Sequence, residues 1–121
     1  MQKERRSEQR IEPGRPMQLI FHSPGQAMGR ISNISTQGVS VEYAEGAWQP
    51  QAGQEVGVKL AIDLQCPLMV EDASCVTIYD IPTLAHDETF RGSRMRLCGL
   101  KYSNLSDVQR NQLRRLLDSI R

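Results

Sequence analysis

The pattern of a half-buried strand is clearest in EVGVKLAID, residues 55–63. Apolar side chains occupy every second position from Val56 onward, and the positions between them are charged or small. Because successive side chains of a strand point to opposite faces, a period of two predicts one face on a core and one in water. We therefore expect a half-buried strand here.

Similar apolar runs mark five further segments of the chain. They predict strands at about residues 17–21, 27–34, 39–43, 68–79 and 94–102. Residues 80–93 have the mixed composition of a loop, and a switch of apolar parity in the last strand predicts a bulge near Gly99. Six strands with no helical pattern between them predict a small antiparallel barrel or sandwich.

The C-terminal segment changes to a helical period. Ser106 and Gln109 have the spacing of a capping box, which satisfies backbone N–H groups at a helix start. Four apolar residues follow at i, i+3, i+4 and i+7, namely Leu113, Leu116, Leu117 and Ile120. The chain is thus predicted as one domain with three parts, a flexible arm (1–16), a barrel (17–104) and an amphipathic helix packed on it (105–121).

Charge is distributed unevenly along the chain. The net charge is +1, yet residues 17–90 hold two basic and nine acidic residues, and residues 91–121 hold eight basic and two acidic ones. Basic termini favour a small anionic ligand or an acidic protein surface. The acidic middle and the few, scattered aromatic residues argue against a nucleic-acid binder.

Other function classes lack their residues. No nucleotide-hydrolysing, dinucleotide or nucleophile motif is present, and His22 and His86 lack metal-ligand spacing. Asp80, Asp87 and Glu88 are more typical of a solvated edge than of paired catalytic carboxylates. We predict no enzyme activity, no metal, no cofactor and no membrane span. Three cysteines without C-x-x-C favour a reducing, cytoplasmic location.

Two short motifs have complementary chemistry. Arg6-x-x-x-Arg10 lies in the arm, and Asn33-x-Ser35-x-x-Gly38 lies between two predicted strands. Arginine offers a planar fork that matches phosphate oxygens or the O6/N7 edge of guanine. Asn33 and Ser35, two apart at a strand end, are expected to point the same way toward a base edge, and Gly38 allows a tight turn with φ > 0. Together they predict a pocket for an anionic purine nucleotide.

Each motif alone is weak. Arg110-x-x-x-Arg114 matches the first pattern on a helix face, and Asn, Ser and Gly are ordinary turn residues. Their order and spacing are more specific, with 22 residues between Arg10 and Asn33.

In this order the motifs resemble the signature of the PilZ domain family. The resemblance covers nearly the whole chain, since residues 53–56 resemble the family's glycine-led strand entry and residues 99–102 its G-x-x-F element. Tyr102 replaces the more usual Phe, and Asn33 stands where Asp is commoner. The resemblance implies a six-stranded antiparallel β-barrel of the split-barrel type with a C-terminal helix. It also implies a non-catalytic receptor or adaptor for the bacterial second messenger cyclic di-GMP.

The resemblance also implies residue roles. Arg6 and Arg10 would grip phosphates and guanine, Asn33 and Ser35 would bond guanine edges, and Gly38 would shape the turn. Arg5, directly before the motif, would accompany two stacked ligands instead of one. The arm would become ordered on binding and present a changed surface to a protein effector.

One alternative stays open. A PilZ-like interaction module need not bind the nucleotide, and would dock an acidic partner through the helix residues Arg110, Arg114 and Arg115.

Overall fold

Six antiparallel strands form a closed barrel, and one helix follows them. The computed structural model describes residues 10–46, 48–62, 68–87 and 93–120. The strand order around the barrel is β1-β2-β3-β6-β5-β4. The elements are β1 (Gln18–Ser23), β2 (Ala27–Ile34), β3 (Gly38–Ala44), β4 (Glu55–Ala61), β5 (Met69–Asp87), β6 (Ser93–Tyr102) and α1 (Asp107–Ile120). The predicted fold class, an all-β barrel with a C-terminal helix, is confirmed.

The core fills the barrel and extends under the helix. Val56, Val58 and Leu60 of β4 are buried, as their alternation predicts. The four apolar residues predicted for the helix stripe are all buried, and α1 contacts β5. No helix in the described part of the chain is long and apolar enough to span a membrane.

The helix start is tied to β5 by the predicted capping box. Ser106 Oγ accepts the N–H of Gln109 at 3.1 Å, and Gln109 Oε1 accepts the N–H of Ser106 at 2.9 Å. The side-chain amide of Gln109 also donates to the carbonyls of Glu71 and Asp72, both at 3.0 Å. A single residue therefore caps the helix and fixes its position on the barrel.

The prediction of a loop over residues 80–93 is wrong for the first half of that segment. β5 continues to Asp87, pairing with β6 as far as Ser93. The prediction failed because Asp80, an acidic residue in an inward position, interrupts the apolar alternation. Its carboxylate is only 7% exposed and pairs with Arg96 across the sheet, which periodicity cannot detect. Residues 88–92 lie outside the described residues.

The bulge predicted near Gly99 exists, but its extra residue lies in β5. Thr77 pairs with Leu100 and Tyr79 with Gly99, so Ile78 has no partner position in β6. The pairing of β6 with β3 is regular throughout. The parity switch in β6 has another cause, since the charged residue Arg96 occupies an inward position of that strand, opposite the buried Tyr43.

Candidate ligand-binding site

A bulge in β2 turns Asn33 to the outside of the barrel. The register of the β2–β3 pair shifts between Ile31 and Asn33, which leaves Ser32 as an extra residue. Ile31 and Ile34 are therefore both buried, while Ser32 and Asn33 between them are half-exposed. The carboxamide of Asn33 can thus reach a ligand while its strand stays packed on the core.

Ser35 forms the turn between β2 and β3. Its side chain is buried, and its hydroxyl oxygen accepts the N–H groups of Gln37 at 3.0 Å and Gly38 at 3.2 Å. Its own N–H donates to the carbonyl of Gly38 at 2.9 Å. These bonds hold the turn rigid from inside. The expected contact of Ser35 with a base edge stays a prediction.

Gly38 is needed for close packing, and the expected positive φ is not present. Among the described glycines only Gly53 has a positive φ. A Cβ at Gly38 would instead lie 2.3 Å from the carbonyl oxygen of Leu100 in β6. Glycine therefore lets β3 begin directly against β6.

The end of the arm lies beside the end of β2. The N–H of Ile11 donates to the carbonyl of Ile34 at 2.9 Å, and the N–H of Ile34 donates to the carbonyl of Ile11 at 3.0 Å. Next to this bridge, Nη1 of the exposed Arg10 donates to Oδ1 of Asn33 at 2.7 Å. The second arginine of one motif and the first residue of the other are therefore in direct contact. The predicted site residues Arg5 and Arg6 lie outside the described residues.

A groove adjoins this contact. It holds about 470 Å³ between residues 12–17, which are the end of the arm and the first residue of the barrel, and the outer face of β2, where Arg30 and Ser32 line it. This volume is within the range of small-molecule sites, roughly 300–1,000 Å³. Glu42 also lies on the groove wall, where its carboxylate pairs with Arg30 at 3.1 Å.

Tyr102 lies near the site. Its sequence context predicts a role in packing and gives no role to its hydroxyl group. Its N–H donates to the carbonyl of Gln37 in the turn, and its hydroxyl is buried with no hydrogen-bond partner among the described residues. Burial, and then the nearby Cys75, raise the pKa of this hydroxyl, while the positive charge of Arg10 opposes them. The departure from Phe was the one signal of it in the sequence.

A second polar cluster is formed by side chains at inward positions of β5 and β6. Asp80 accepts a bond from Nε of Arg96 at 2.8 Å and from the hydroxyl of Tyr43 at 2.6 Å. Arg96 also donates to Glu45 at 3.1 Å. Burial alone would lower the pKa of Arg96, but its bonds to Asp80 and Glu45 outweigh burial and raise it. Asp80 is thus a member of a buried ion pair and not the solvated edge expected from its sequence context.

Comparisons with known proteins agree with the fold. The sequence model of the PilZ domain family matches residues 4–119. Comparison with curated protein sequences finds no match. The PilZ domain with c-di-GMP of YcgR from Escherichia coli has a TM-score of 0.72 at 17% identity, over 97% of this chain and 92% of that one. MrkH of K. pneumonia in its apo state has a TM-score of 0.74 at 12% identity, over 99% and 53%.

The Bacillus subtilis inhibitor of motility (MotI/DgrA) has a TM-score of 0.64 at 17% identity, over 96% of this chain and 53% of that one. A longer chain of YcgR in complex with c-di-GMP is covered over 45% of its length. The chain therefore spans about half the length of these longer relatives.

Proposed function

Because the chain belongs to the PilZ domain family, we propose that it is a receptor for cyclic di-GMP and that it catalyses no reaction. The observation that carries the proposal is the 2.7 Å bond between Arg10 and Asn33, which joins the two motifs at one place. Among the structural neighbours, YcgR is described in complex with c-di-GMP.

The chemistry of guanine suits this pair of side chains. Guanine presents acceptors at O6 and N7, which match the donors of Arg10. Its N–H groups match the acceptor Oδ1 of Asn33. A guanine base therefore replaces the bond between the two side chains with one bond to each of them. Arg6 binds phosphate in this proposal, and Ser35 and Gly38 hold the turn that carries Asn33.

Binding is transmitted through the arm. The part of the arm that precedes Ile11 is the segment that closes over the ligand, and the bridge between Ile11 and Ile34 is its fixed end. Charge-assisted bonds from arginine offset the entropy lost when the arm becomes ordered. The rearranged arm and the groove beside β2 then form the surface that a protein effector recognises. The free thiols of Cys75 and Cys98 support a cytoplasmic location.

Calorimetric titration of the full chain with cyclic di-GMP tests the proposal. We expect saturable binding by the parent and much weaker binding of GMP, which engages only part of the site. Arg10→Ala should cost about 2–4 kcal/mol of binding free energy by removing charge-assisted bonds. Arg110→Ala, an exposed arginine on α1, is the matched control and should bind like the parent. Absence of binding, or equal losses at Arg10 and Arg110, would contradict the proposal.

Stoichiometry tests the role of Arg5. Two stacked ligands bring four phosphates and several purine faces together, and a further planar cation both neutralises charge and caps the stack. The parent should bind two ligands per chain and Arg5→Leu one. If the parent and Arg5→Leu both saturate at one ligand per chain, Arg5 has no part in the stoichiometry.

The alternative function depends on the outer face of α1. Arg110, Arg114 and Arg115 are exposed, and none of them has a carboxylate within 4 Å among the described residues. A parent that binds no nucleotide, but whose partner binding is lost when these arginines are replaced by Ala, would favour an interaction module for an acidic protein.

A further inference from the structure

Arg30 lies on the same outer face of β2 as Asn33. Ile31 between them is buried, whereas the side chain of Arg30 is 72% exposed and Asn33 is half-exposed. A strand rises about 3.3 Å per residue, so the Cα atoms of Arg30 and Asn33 are at most about 10 Å apart. The guanidinium of Arg30 and the carboxamide of Asn33 therefore border the same stretch of the barrel surface.

Among the described residues of the six strands, only Arg30 brings a positive charge to the groove beside β2. Residues 17–90 hold two basic residues against nine acidic ones. The other basic residue, Lys59, belongs to β4 and lies 4.0 Å from Glu71. A ligand with two phosphates that binds beside Asn33 therefore meets one positively charged side chain of these strands, and that side chain is Arg30.

The bond that holds Arg30 is a weak one. Its Nη2 donates to Oε1 of Glu42, its cross-strand partner in β3, at 3.1 Å. Solvent screens an exposed pair of this kind, so the pair adds little stability. It uses one N–H group of the planar fork, whereas a phosphate accepts two of them at once. The arm side of the groove adds one charge of each sign, Glu12 and Arg15, so Glu42 is the carboxylate that competes with a phosphate for Arg30.

We propose that Arg30 is a further binding residue, which exchanges Glu42 for a phosphate of the cyclic dinucleotide whose guanine is held by Arg10 and Asn33. This inference rests on the proposed function and adds to it a contact from the barrel wall. One phosphate is then bound from the arm and the other from β2, so the ligand is held from two sides. Because the bond between Arg30 and Glu42 breaks on binding, the carboxylate of Glu42 lowers the affinity.

Calorimetric titration of the full chain with cyclic di-GMP tests the exchange. Arg30→Ala should weaken binding by about tenfold or more, because one charge-assisted contact is lost. Glu42→Gln, which keeps the shape of the side chain, should tighten binding by about two- to fivefold, because Arg30 no longer has to leave a carboxylate. Arg94→Ala is the matched control, since Arg94 is an exposed arginine of β6 that does not line the groove. It should bind within about twofold of the parent, because salt screens a distant charge.

A combined variant separates the exchange from a general effect of charge. Removing the carboxylate of Glu42 makes the groove more positive whatever Arg30 does, so a purely long-range effect would tighten binding equally with and without Arg30. The exchange predicts that Glu42→Gln tightens binding in the parent and leaves the affinity of Arg30→Ala unchanged. A parent that does not bind cyclic di-GMP overturns the proposed function and the inference with it. If the parent binds, the inference alone is overturned when Arg30→Ala binds as tightly as Arg94→Ala, or when Glu42→Gln has the same effect with and without Arg30.

Discussion

Arg10 and Asn33 are 23 residues apart in the sequence, and their side chains meet at 2.7 Å. Two backbone hydrogen bonds between Ile11 and Ile34 set this distance, because they hold the arm beside the end of β2. The bulge at Ser32 then turns Asn33 outward to meet the arginine. A backbone bridge and a bulge thus assemble the site from two separate motifs.

This contact should matter little for folding. It is exposed, so solvent screens it and the free energy it adds should be below about 1 kcal/mol. We expect a double-mutant cycle of Arg10→Ala and Asn33→Ala, measured by urea unfolding without ligand, to give a coupling of that size. A coupling above about 2 kcal/mol would make the pair a structural element instead of a binding one.

Gly38 should be far less replaceable than an exposed glycine. Because a Cβ would lie 2.3 Å from a backbone oxygen, Gly38→Ala forces β3 away from β6. The expected loss in the free energy of unfolding is about 1–3 kcal/mol, with weaker ligand binding because the turn carries Asn33. Gly14→Ala, with nothing within 4 Å of the added Cβ, should change stability by less than about 0.5 kcal/mol. Equal effects of the two substitutions would contradict the packing argument.

Local patterns predicted the elements that depend on one strand or helix alone. The alternation around Val58 and the capping box at Ser106 both depend on neighbours in sequence, and both were confirmed. Asp80 was placed in a loop because its partner Arg96 belongs to another strand. The ring of Tyr79 lies over Gly99 of β6, where a side chain would stand, so no local pattern indicated its position either.

Asp80 should be among the most sensitive polar residues of the barrel. Asp80→Ala leaves Arg96 buried without its closest carboxylate and Tyr43 without an acceptor, so we expect a loss of about 3–5 kcal/mol in the free energy of unfolding. The matched control is Glu42→Ala, whose partner Arg30 is 72% exposed, and its cost should be below about 1 kcal/mol. Chemical denaturation of the two variants measures the difference, and similar costs would show that the Asp80 cluster contributes no more than a surface pair.

Two tyrosine-to-phenylalanine substitutions should change the free energy of unfolding in opposite directions. Tyr102→Phe removes a buried hydroxyl that has no partner in the described chain, so the free energy of unfolding should rise by about 1 kcal/mol. Tyr43→Phe removes a donor to the carboxylate of Asp80 and should lower it by about 1.5–3 kcal/mol. Thermal unfolding of both variants in one buffer is sufficient. A destabilised Tyr102→Phe would mean that the hydroxyl has a partner in the folded protein.

The two buried thiols should make the protein less stable at alkaline pH. Burial raises the pKa of Cys75 to about 12, and burial followed by the charge of Asp80 raises that of Cys98 to about 12. An unfolded thiol has a pKa of about 8.5, so above that pH the native state binds more protons than the unfolded state. The stabilisation is therefore complete below about pH 8.5 and is lost as the pH rises toward 12. Between pH 8 and 10 each thiol should remove about 2 kcal/mol from the free energy of unfolding.

Urea unfolding under reducing conditions at the two pH values measures the parent's decrease. Cys75→Ala should show a decrease smaller by about 2 kcal/mol whatever its stability at neutral pH, because one titrating group is gone. A decrease equal to the parent's would show that the thiol of Cys75 titrates alike in the folded and unfolded states.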